Sequence, residues 1–282
     1  MDLSRSRMQS PRVEWRDASA STNLDLRVEL EGQAGAWPHL SCLLTDNQTA
    51  GRGRLDRTWN AAPGTALAVS VLVAPPGLDF GSVGDAWSWL PLIAGDAMAT
   101  AVRGLVPVAD KVSVKWPNDV LIDGRKVSGI LAELTPHGVI LGSGVNLTMT
   151  EVDLPVPTAT SLLLAGAAET DIDAVLSAYL EALAENLALW QRSLQGDRSE
   201  LVRRVARHCS TLGSSVRVEL PDDTVIDGRA MGLDELGRLI VEVSKNRQQF
   251  VVAAGDITHL RVNKEHDSSA RDGADYAPGA GG

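Results

Sequence analysis

The chain has 282 residues, 44% of them hydrophobic, with 26 lysines and arginines against 36 aspartates and glutamates and a formal net charge of -10. That length supports a sizeable core and more than one folded unit, while the acidic balance and the lack of a long basic stretch argue against a general nucleic-acid binder, which needs a cationic face. Cys42 and Cys209 show neither disulfide-framework nor zinc spacing, residues 1–11 lack an apolar signal core, and no apolar run is of bilayer length, so a soluble, cytoplasmic protein without a membrane partner is expected.

Residues 13–16 read as a strand. Ala20-Ser21-Thr22-Asn23 follows it, and since Ser, Thr and Asn all cap helices well, the tetrad has a purely structural reading as an N-cap. Residues 40–44 and 65–74 are rich in Leu and Val and bounded by Pro, Gly and Asn, which predicts two buried strands. Between them lie Gln48, Gly51-Arg52-Gly53-Arg54, Asp56-Arg57 and Trp59. Glycine frees the backbone and arginine forks match phosphate or carboxylate oxygens in pairs, so this segment is either a mobile anion clamp or a solvated surface loop. Residues 87–106 place Trp87, Leu90, Ile93, Ala97, Met98 and Val102 at helical spacing, with Pro91 in the first turn.

Residues 120–122, the dipeptide Asp123-Gly124 and residues 126–134 predict a hairpin, because Asp-Gly favours the tight turn that matches strand twist. Pro136-His137-Gly138 then returns the chain into residues 139–147. Three strands joined by short turns make an antiparallel meander, hence an α+β fold with a largely antiparallel sheet rather than a doubly wound one. Residues 171–194 form a second long amphipathic helix and 199–208 a shorter one. After Leu212-Gly213, short alternating strands at 215–220, 225–232, 239–243 and 249–253 predict a small SH3-like β-barrel. The division expected is a flexible N-terminus (1–12), a first domain (13–209), the barrel (210–262) and a tail (263–282) too poor in apolar residues to order.

The second charged constellation is Lys115-Trp116-Pro117-Asn118-Asp119 followed by Arg125-Lys126-Val127-Ser128-Gly129-Ile130-Leu131. Facing arms of a hairpin bring Lys115 and Lys126 toward one pocket, with Asn118 and Asp119 nearby; the plain alternative is an exposed Lys/Asp turn. An ammonium there neutralises an anionic substrate, and Asp119 can hold a metal or orient a donor. Gly142-Ser143-Gly144-Val145-Asn146 offers close backbone approach to a ligand but fails the dinucleotide fingerprint. The sequence also has no Gly-Lys-Ser/Thr phosphate loop, no Gly-x-Ser-x-Gly elbow and no His pair at metal spacing.

Taken in order, Ser21-Thr22-Asn23, Gln48 with Gly51-Arg52-Gly53-Arg54, Lys115-Trp116-Pro117-Asn118-Asp119, Lys126 to Leu131 and Gly142 to Asn146 resemble the motifs of biotin protein ligases, over roughly residues 13–261. The resemblance implies the mixed, largely antiparallel, class II synthetase-like sheet that this family shares with lipoate ligases, followed by the SH3-like barrel. It implies an enzyme that makes biotinyl-adenylate and pyrophosphate from biotin and ATP with Mg²⁺. The biotin then passes to one lysine of the biotin carboxyl carrier protein domain of a biotin-dependent carboxylase. By similarity, Ser21, Thr22, Asn23, Gln48, Gly51, Arg52, Gly53, Arg54, Lys126 and Gly129 hold biotin. Arg54, Arg57, Trp59, Lys115, Asn118 and Asn146 hold ATP, Asp119 and Asn146 serve the metal, and Lys126, Arg54 and Arg57 act on the reaction itself.

The Gly51–Arg54 loop is then a lid that keeps water from the mixed anhydride. Asp56 departs from the family, which usually carries glycine there. Residues 1–20 are too few for the winged helix-turn-helix of bifunctional members, so no DNA partner is expected and a biotin-responsive regulator is disfavoured. A lipoate or octanoate ligase is the nearest alternative. The carrier itself is excluded by the lack of a Met-Lys-Met hairpin. Monomer and homodimer both stay open.

Overall fold

The computed structural model describes residues 1–54, 57–78, 84–219, 225–253 and 259–262; Asp56 and the expected tail, 263–282, lie outside the described residues. In chain order the first part comprises α1 (Ser4–Gln9), β1 (Val13–Trp15), α2 (Thr22–Gln33), β2 (Cys42–Thr45), β3 (Gly51–Arg52), β4 (Thr58–Trp59), β5 (Ala66–Val73), α3 (Leu90–Leu105), β6 (Val112–Lys115), β7 (Asp119–Ile122), β8 (Arg125–Thr135), β9 (Gly138–Asn146), α4 (Ile172–Ser193) and α5 (Ser199–His208). Seven strands form one sheet in the order β1-β2-β5-β9-β8-β7-β6. Only β1 and β2 pair in parallel; every other pairing is antiparallel, which gives the mixed, largely antiparallel sheet expected.

The two faces of this sheet are covered differently. Val69, Val71, Leu67, Leu141 and Val145 join α3 and α4 in the main core, and the all-buried run of β5 marks a strand covered on both sides. In α3, Leu90, Ile93, Met98 and Val102 are wholly buried, each such side chain contributing roughly 1.5–3 kcal/mol of apolar transfer energy. On the opposite face Leu26 and Leu30 of α2 pack on Leu43, Leu72 and Ile140. That helix reaches β2, β5 and β9. It leaves the β7–β8 side of the same face to smaller residues and to the loop that follows β2.

The N-terminus differs from the flexible segment expected over residues 1–12. Leu3 is fully buried in the main core. The Asp173 carboxylate of α4 accepts from Ser6 N at 2.8 Å, Ser6 Oγ at 2.6 Å and Arg5 N at 2.9 Å, satisfying backbone donors at the start of α1. Six helical residues anchored by one leucine carry too little periodicity to be read from sequence. The meander likewise gains a fourth strand, β6, whose Val112 and Val114 are buried while Ser113 and Lys115 are half-buried.

The second part comprises α5's continuation into β10 (Ser215–Glu219), β11 (Val225–Leu233), β12 (Leu239–Val243), β13 (Gln249–Val252) and β14 (His259–Val262). They form a five-stranded antiparallel sheet, β13-β12-β11-β10-β14, one strand more than predicted and of the SH3-like kind. Val216, Val218, Ala230, Leu239, Val241 and Val252 join the same core as the large sheet. Among the described residues no helix is long and apolar enough to cross a membrane.

Candidate active site

Strand register sets the floor of the site. Thr45, Ala68, Gly144, Gly129, Asp119 and Lys115 stand directly opposite one another from β2 across to β6. Residues so opposed project from one face of the sheet. The adjoining row on that face is Leu43, Ser70, Gly142 and Leu131, and since Leu43 packs under α2, both rows lie on the α2 face.

Glycine inside a strand forgoes packing, and its use here is close approach. A Cβ on Gly144 would collide with the Trp59 indole, lying 2.6 Å from Cζ2. One on Gly142 would meet the Asn23 amide, 2.9 Å from Cγ, and one on Gly129 would lie 2.9 Å from Lys126 Nζ. Three side chains of the motifs thus rest on three glycines. Gly142 and Gly144 sit within β9 rather than at its end.

Ser21 occupies the N-cap position of α2, yet its side chain makes no capping bond. Gln48 supplies that service from the loop, its Oε1 accepting from Thr22 N at 2.9 Å. Ser70 Oγ lies 2.8 Å from Thr22 Oγ1 and 2.6 Å from Asn23 Oδ1. Asn23 Nδ2 in turn donates to Leu131 O at 3.4 Å. Ser70 is the residue that motif reading overlooked. Its signal was a lone hydroxyl in the otherwise apolar run of β5, fully buried and so in need of partners.

The loop closes on itself through β3 and β4, pairing Gly51 with Trp59 and Arg52 with Thr58. Of its described arginines, Arg54 reaches the hairpin, where Nη1 donates to Asn118 Oδ1 at 3.3 Å. Burial lowers the Arg54 pKa and the neighbouring Arg57 charge adds to this, while Asp119 works against both. Arg52 and Arg57 are exposed on the same loop. Asn118 is fixed at the tip of the β6–β7 turn by Nδ2 donating to Ile130 O at 2.7 Å and by Ile130 N donating to its carbonyl at 2.9 Å. Lys126 Nζ pairs with Asp119 Oδ1 at 2.7 Å and stands 5.8 Å from the centroid of the Trp59 ring. Lys115 faces Asp119 across the hairpin. Lys126 pairs with that carboxylate directly, while Lys115 stands opposite Asp119 in register, on a different strand from Lys126 rather than on the facing arm of one hairpin.

Asn146 sits differently from the other motif residues. It is buried, its Nδ2 donates to Thr160 O at 2.8 Å, and its carbonyl accepts from Leu162 N at 3.0 Å. Thr158 O and Thr160 N bind the main chain of Lys126 at 2.7 and 2.8 Å. Residues 158–160 thus strap two motif positions together, through backbone contacts that no side-chain pattern announces. Asn146 and Asp119 lie two strands apart, on β9 and β7. Among the described residues no group of three His, Cys, Asp or Glu could hold a metal ion. Among the described residues of the floor row from Thr45 to Lys115, the carboxylate is that of Asp119, which is paired with Lys126.

Residues 19–147 match the model of the Biotin/lipoate A/B protein ligase family, and residues 211–260 match the Biotin protein ligase C terminal domain. The chain is 38% identical over 246 residues to the biotin-[acetyl-CoA-carboxylase] ligase of Mycobacterium tuberculosis, covering 86% of this chain and 87% of that one. The chain belongs to the biotin protein ligase family. A ligase of the same name from Paracoccus denitrificans is 30% identical over 248 residues, 84% of this chain and 96% of its own. The biotin protein ligase from Aquifex aeolicus, solved in complex with biotin and ATP, aligns with a TM-score of 0.69 at 27% identity, covering 89% of this chain and 99% of that one. The first family match takes in every motif from Ser21 to Asn146, so the glycine floor, the loop and the β6–β7 hairpin all fall within the region shared by biotin and lipoate ligases.

Proposed function

We propose that this biotin protein ligase activates biotin with ATP and passes it to one lysine of a biotin carboxyl carrier domain. The observation that carries the reading is a glycine floor that seats Trp59, Asn23 and Lys126, with the Lys126–Asp119 pair and the Arg54–Asn118 bond beside it and Lys115 opposite Asp119 in register. In the first half-reaction a biotin carboxylate oxygen attacks the α-phosphorus of ATP. The new O–P bond forms as the bond to pyrophosphate breaks. Two anions must meet, which calls for fixed cations in a water-poor site. In this reading Lys126 holds the carboxylate and the α-phosphate together, and Lys115 bears on the departing phosphates. Trp59 gives the adenine an apolar surface, and Gln48, Thr22 and Asn23 orient biotin.

In the second half-reaction the carrier lysine, as a free amine, attacks the acyl carbon. AMP leaves with the electron pair of the anhydride bond, and the amine sheds its proton. The loop that bears Arg54 covers the anhydride between the two steps. Magnesium fits this site as an ion that arrives with ATP: one carboxylate, Asp119, suits an ion held chiefly by phosphates and water rather than by a protein cage. When bound it supplies charge neutralisation on the phosphates. Asn146, its amide nitrogen spent on Thr160, suits a supporting role better than direct ligation.

Biotin-dependent exchange of labelled pyrophosphate into ATP tests the reading. Exchange driven by biotin and not by lipoate is expected. Exchange driven by lipoate or octanoate instead would transfer the assignment to the neighbouring branch of the family.

A further inference from the structure

The β6–β7 hairpin carries Lys115, Asn118 and Asp119, yet it stands at the margin of the large sheet. β6 is the last strand and has a sheet neighbour on one side only. β7 is held by β8, so among the described residues β6 is the arm of the hairpin that lacks a second strand beside it. The chain beyond α5 supplies the missing side. Val114 forms a bridge with Cys209, and Ser210 N donates to Val114 O at 2.9 Å. Trp116 N then donates to Thr211 Oγ1 at 2.9 Å, inside a fully buried pocket.

A second hold comes from the small C-terminal sheet. The turn between β11 and β12, residues 234–238, presents three consecutive carbonyls to side chains of the first part, two of them buried tryptophans. Glu235 O accepts from Trp89 Nε1 at 2.8 Å, Leu236 O accepts from Ser88 Oγ, and Gly237 O accepts from Trp116 Nε1 at 2.9 Å. Gly237 has φ +74, and a Cβ there would lie 3.1 Å from both Leu92 Cδ1 and Trp89 Cδ2. Asp234 stiffens the turn by accepting from Leu236 N and Arg238 N, each at 2.9 Å. The turn is therefore a shaped plug, and Trp116, 2% exposed, is the side chain it shares with the site.

We infer that Trp116 is a positioning residue for the nucleotide half of the reaction, held by Thr211 and by the Asp234–Gly237 turn, so that the C-terminal sheet fixes where Lys115, Asn118 and Asp119 stand. This rests on the ligase reading above. Trp116 touches no reacting atom; it acts by anchoring the hairpin whose other residues face the phosphates. Among the described residues, the biotin half of the site, built on α2, Gln48 and Ser70, shares no hydrogen bond or ion pair with this brace and is the internal control.

The test compares wild type with Trp116→Phe, Thr211→Val, Thr211→Ser and Gly237→Ala. Loss of one buried donor or acceptor is expected to raise the KM for ATP by roughly five- to tenfold in Trp116→Phe and Thr211→Val. The KM for biotin stays within about twofold by the same reasoning. Thr211→Ser, which keeps the hydroxyl, restores the wild-type value. A merely structural role would lower the active fraction and leave both KM values alone, and that outcome overturns the inference, as does an equal rise in both. Hydrogen exchange of the unliganded proteins supplies a readout independent of activity. Faster exchange across residues 115–122 with no change across residues 22–33 is expected, and unchanged exchange in the hairpin overturns the brace. Wild-type protein that exchanges no pyrophosphate with biotin would remove the ligase reading, while the hydrogen-exchange arm would still decide whether the C-terminal turn holds the hairpin.

Discussion

Lys126 Nζ and Asp119 Oδ1 stand 2.7 Å apart, and they meet because residue 129, between them, is glycine. Lys126 and Gly129 lie on β8 and Asp119 on β7, with the β7–β8 register shifting beside Lys126. The irregular register and the missing Cβ together let the lysine fold back over its own strand. Asp119 thereby holds the ammonium on the glycine floor.

Replacing Lys126 by alanine should slow biotinyl-adenylate formation by on the order of a hundredfold to a thousandfold, the usual effect of losing one fixed donor to developing charge. Stability should hardly change. The pair is partly exposed, and such pairs contribute only about 0–1 kcal/mol. Single-turnover adenylate formation and thermal unfolding of the same variant check both halves. Gly129→Ala should reproduce the kinetic loss without removing any charge, because its Cβ takes the space of Lys126 Nζ.

Gly142→Ala and Gly144→Ala should separate the two substrates. The first forces Asn23 from its place and the second forces Trp59. We expect the KM for biotin to rise about tenfold in the first and the KM for ATP about tenfold in the second, equivalent to the lower end of the cost of an overpacked site. Steady-state pyrophosphate exchange with each substrate varied decides it. A common rise in the same KM for both variants would show that floor positions 142 and 144 do not divide the site.

Asp96 gives the fold an acid-sensitive joint. It is fully buried on α3, with His208 Nδ1 at 2.9 Å, Asn186 Nδ2 at 3.0 Å and Arg204 Nε at 3.2 Å. Burial alone pushes its carboxyl up, but the bonds to His208, Asn186 and Arg204 outweigh burial and hold the pKa below the ordinary value. A carboxyl depressed in the folded state adds stability above its unfolded pKa and loses it as pH falls through the folded one. Asp96→Asn should cost roughly 1–3 kcal/mol at neutral pH, since it takes a buried carboxylate from Arg204, whose other acidic partner, Glu185, stands at 3.8 Å. It should also flatten the acid limb of a plot of Tm against pH. A wild-type-like acid limb in the variant would locate the acid sensitivity elsewhere.

How much of this was legible beforehand follows from the kind of contact involved. The long periods of α3 and α4, the apolar run of β5 and the Asp123-Gly124 turn are local signals, and each led to the right element. β6 was missed because Val-Ser-Val-Lys is four residues long and becomes a strand only by pairing with β7. α1 was missed because Leu3 and a carboxylate at position 173, far along the chain, hold it. At the site, the charged and glycine residues stood out through their motifs. Their supports did not: Gln48 capping α2, Ser70 beneath Thr22 and Asn23, and the backbone strap over Lys126 are all contacts between distant segments. The N-cap reading of the Ala20-Ser21-Thr22-Asn23 tetrad found the start of α2 without singling out Ser21, and the capping atom belongs to Gln48.

Arg54, bonded to Asn118, should retain the intermediate rather than form it. Arg54→Ala is expected to make adenylate within a few-fold of the wild-type rate, yet release it to solvent at least about tenfold faster, given the loss of a charge-assisted contact. Chromatography of free biotinyl-adenylate after a single turnover measures this. Unchanged retention would remove Arg54 from the lid.

The most direct measurement is mass spectrometry of a biotin carboxyl carrier domain after incubation with this protein, ATP, Mg²⁺ and biotin. The account predicts a gain of one biotinyl group on one lysine, abolished when ATP is omitted and nearly abolished in Lys126→Ala. A carrier left unmodified by the wild-type protein with biotin, but acylated when lipoate is supplied, would contradict it.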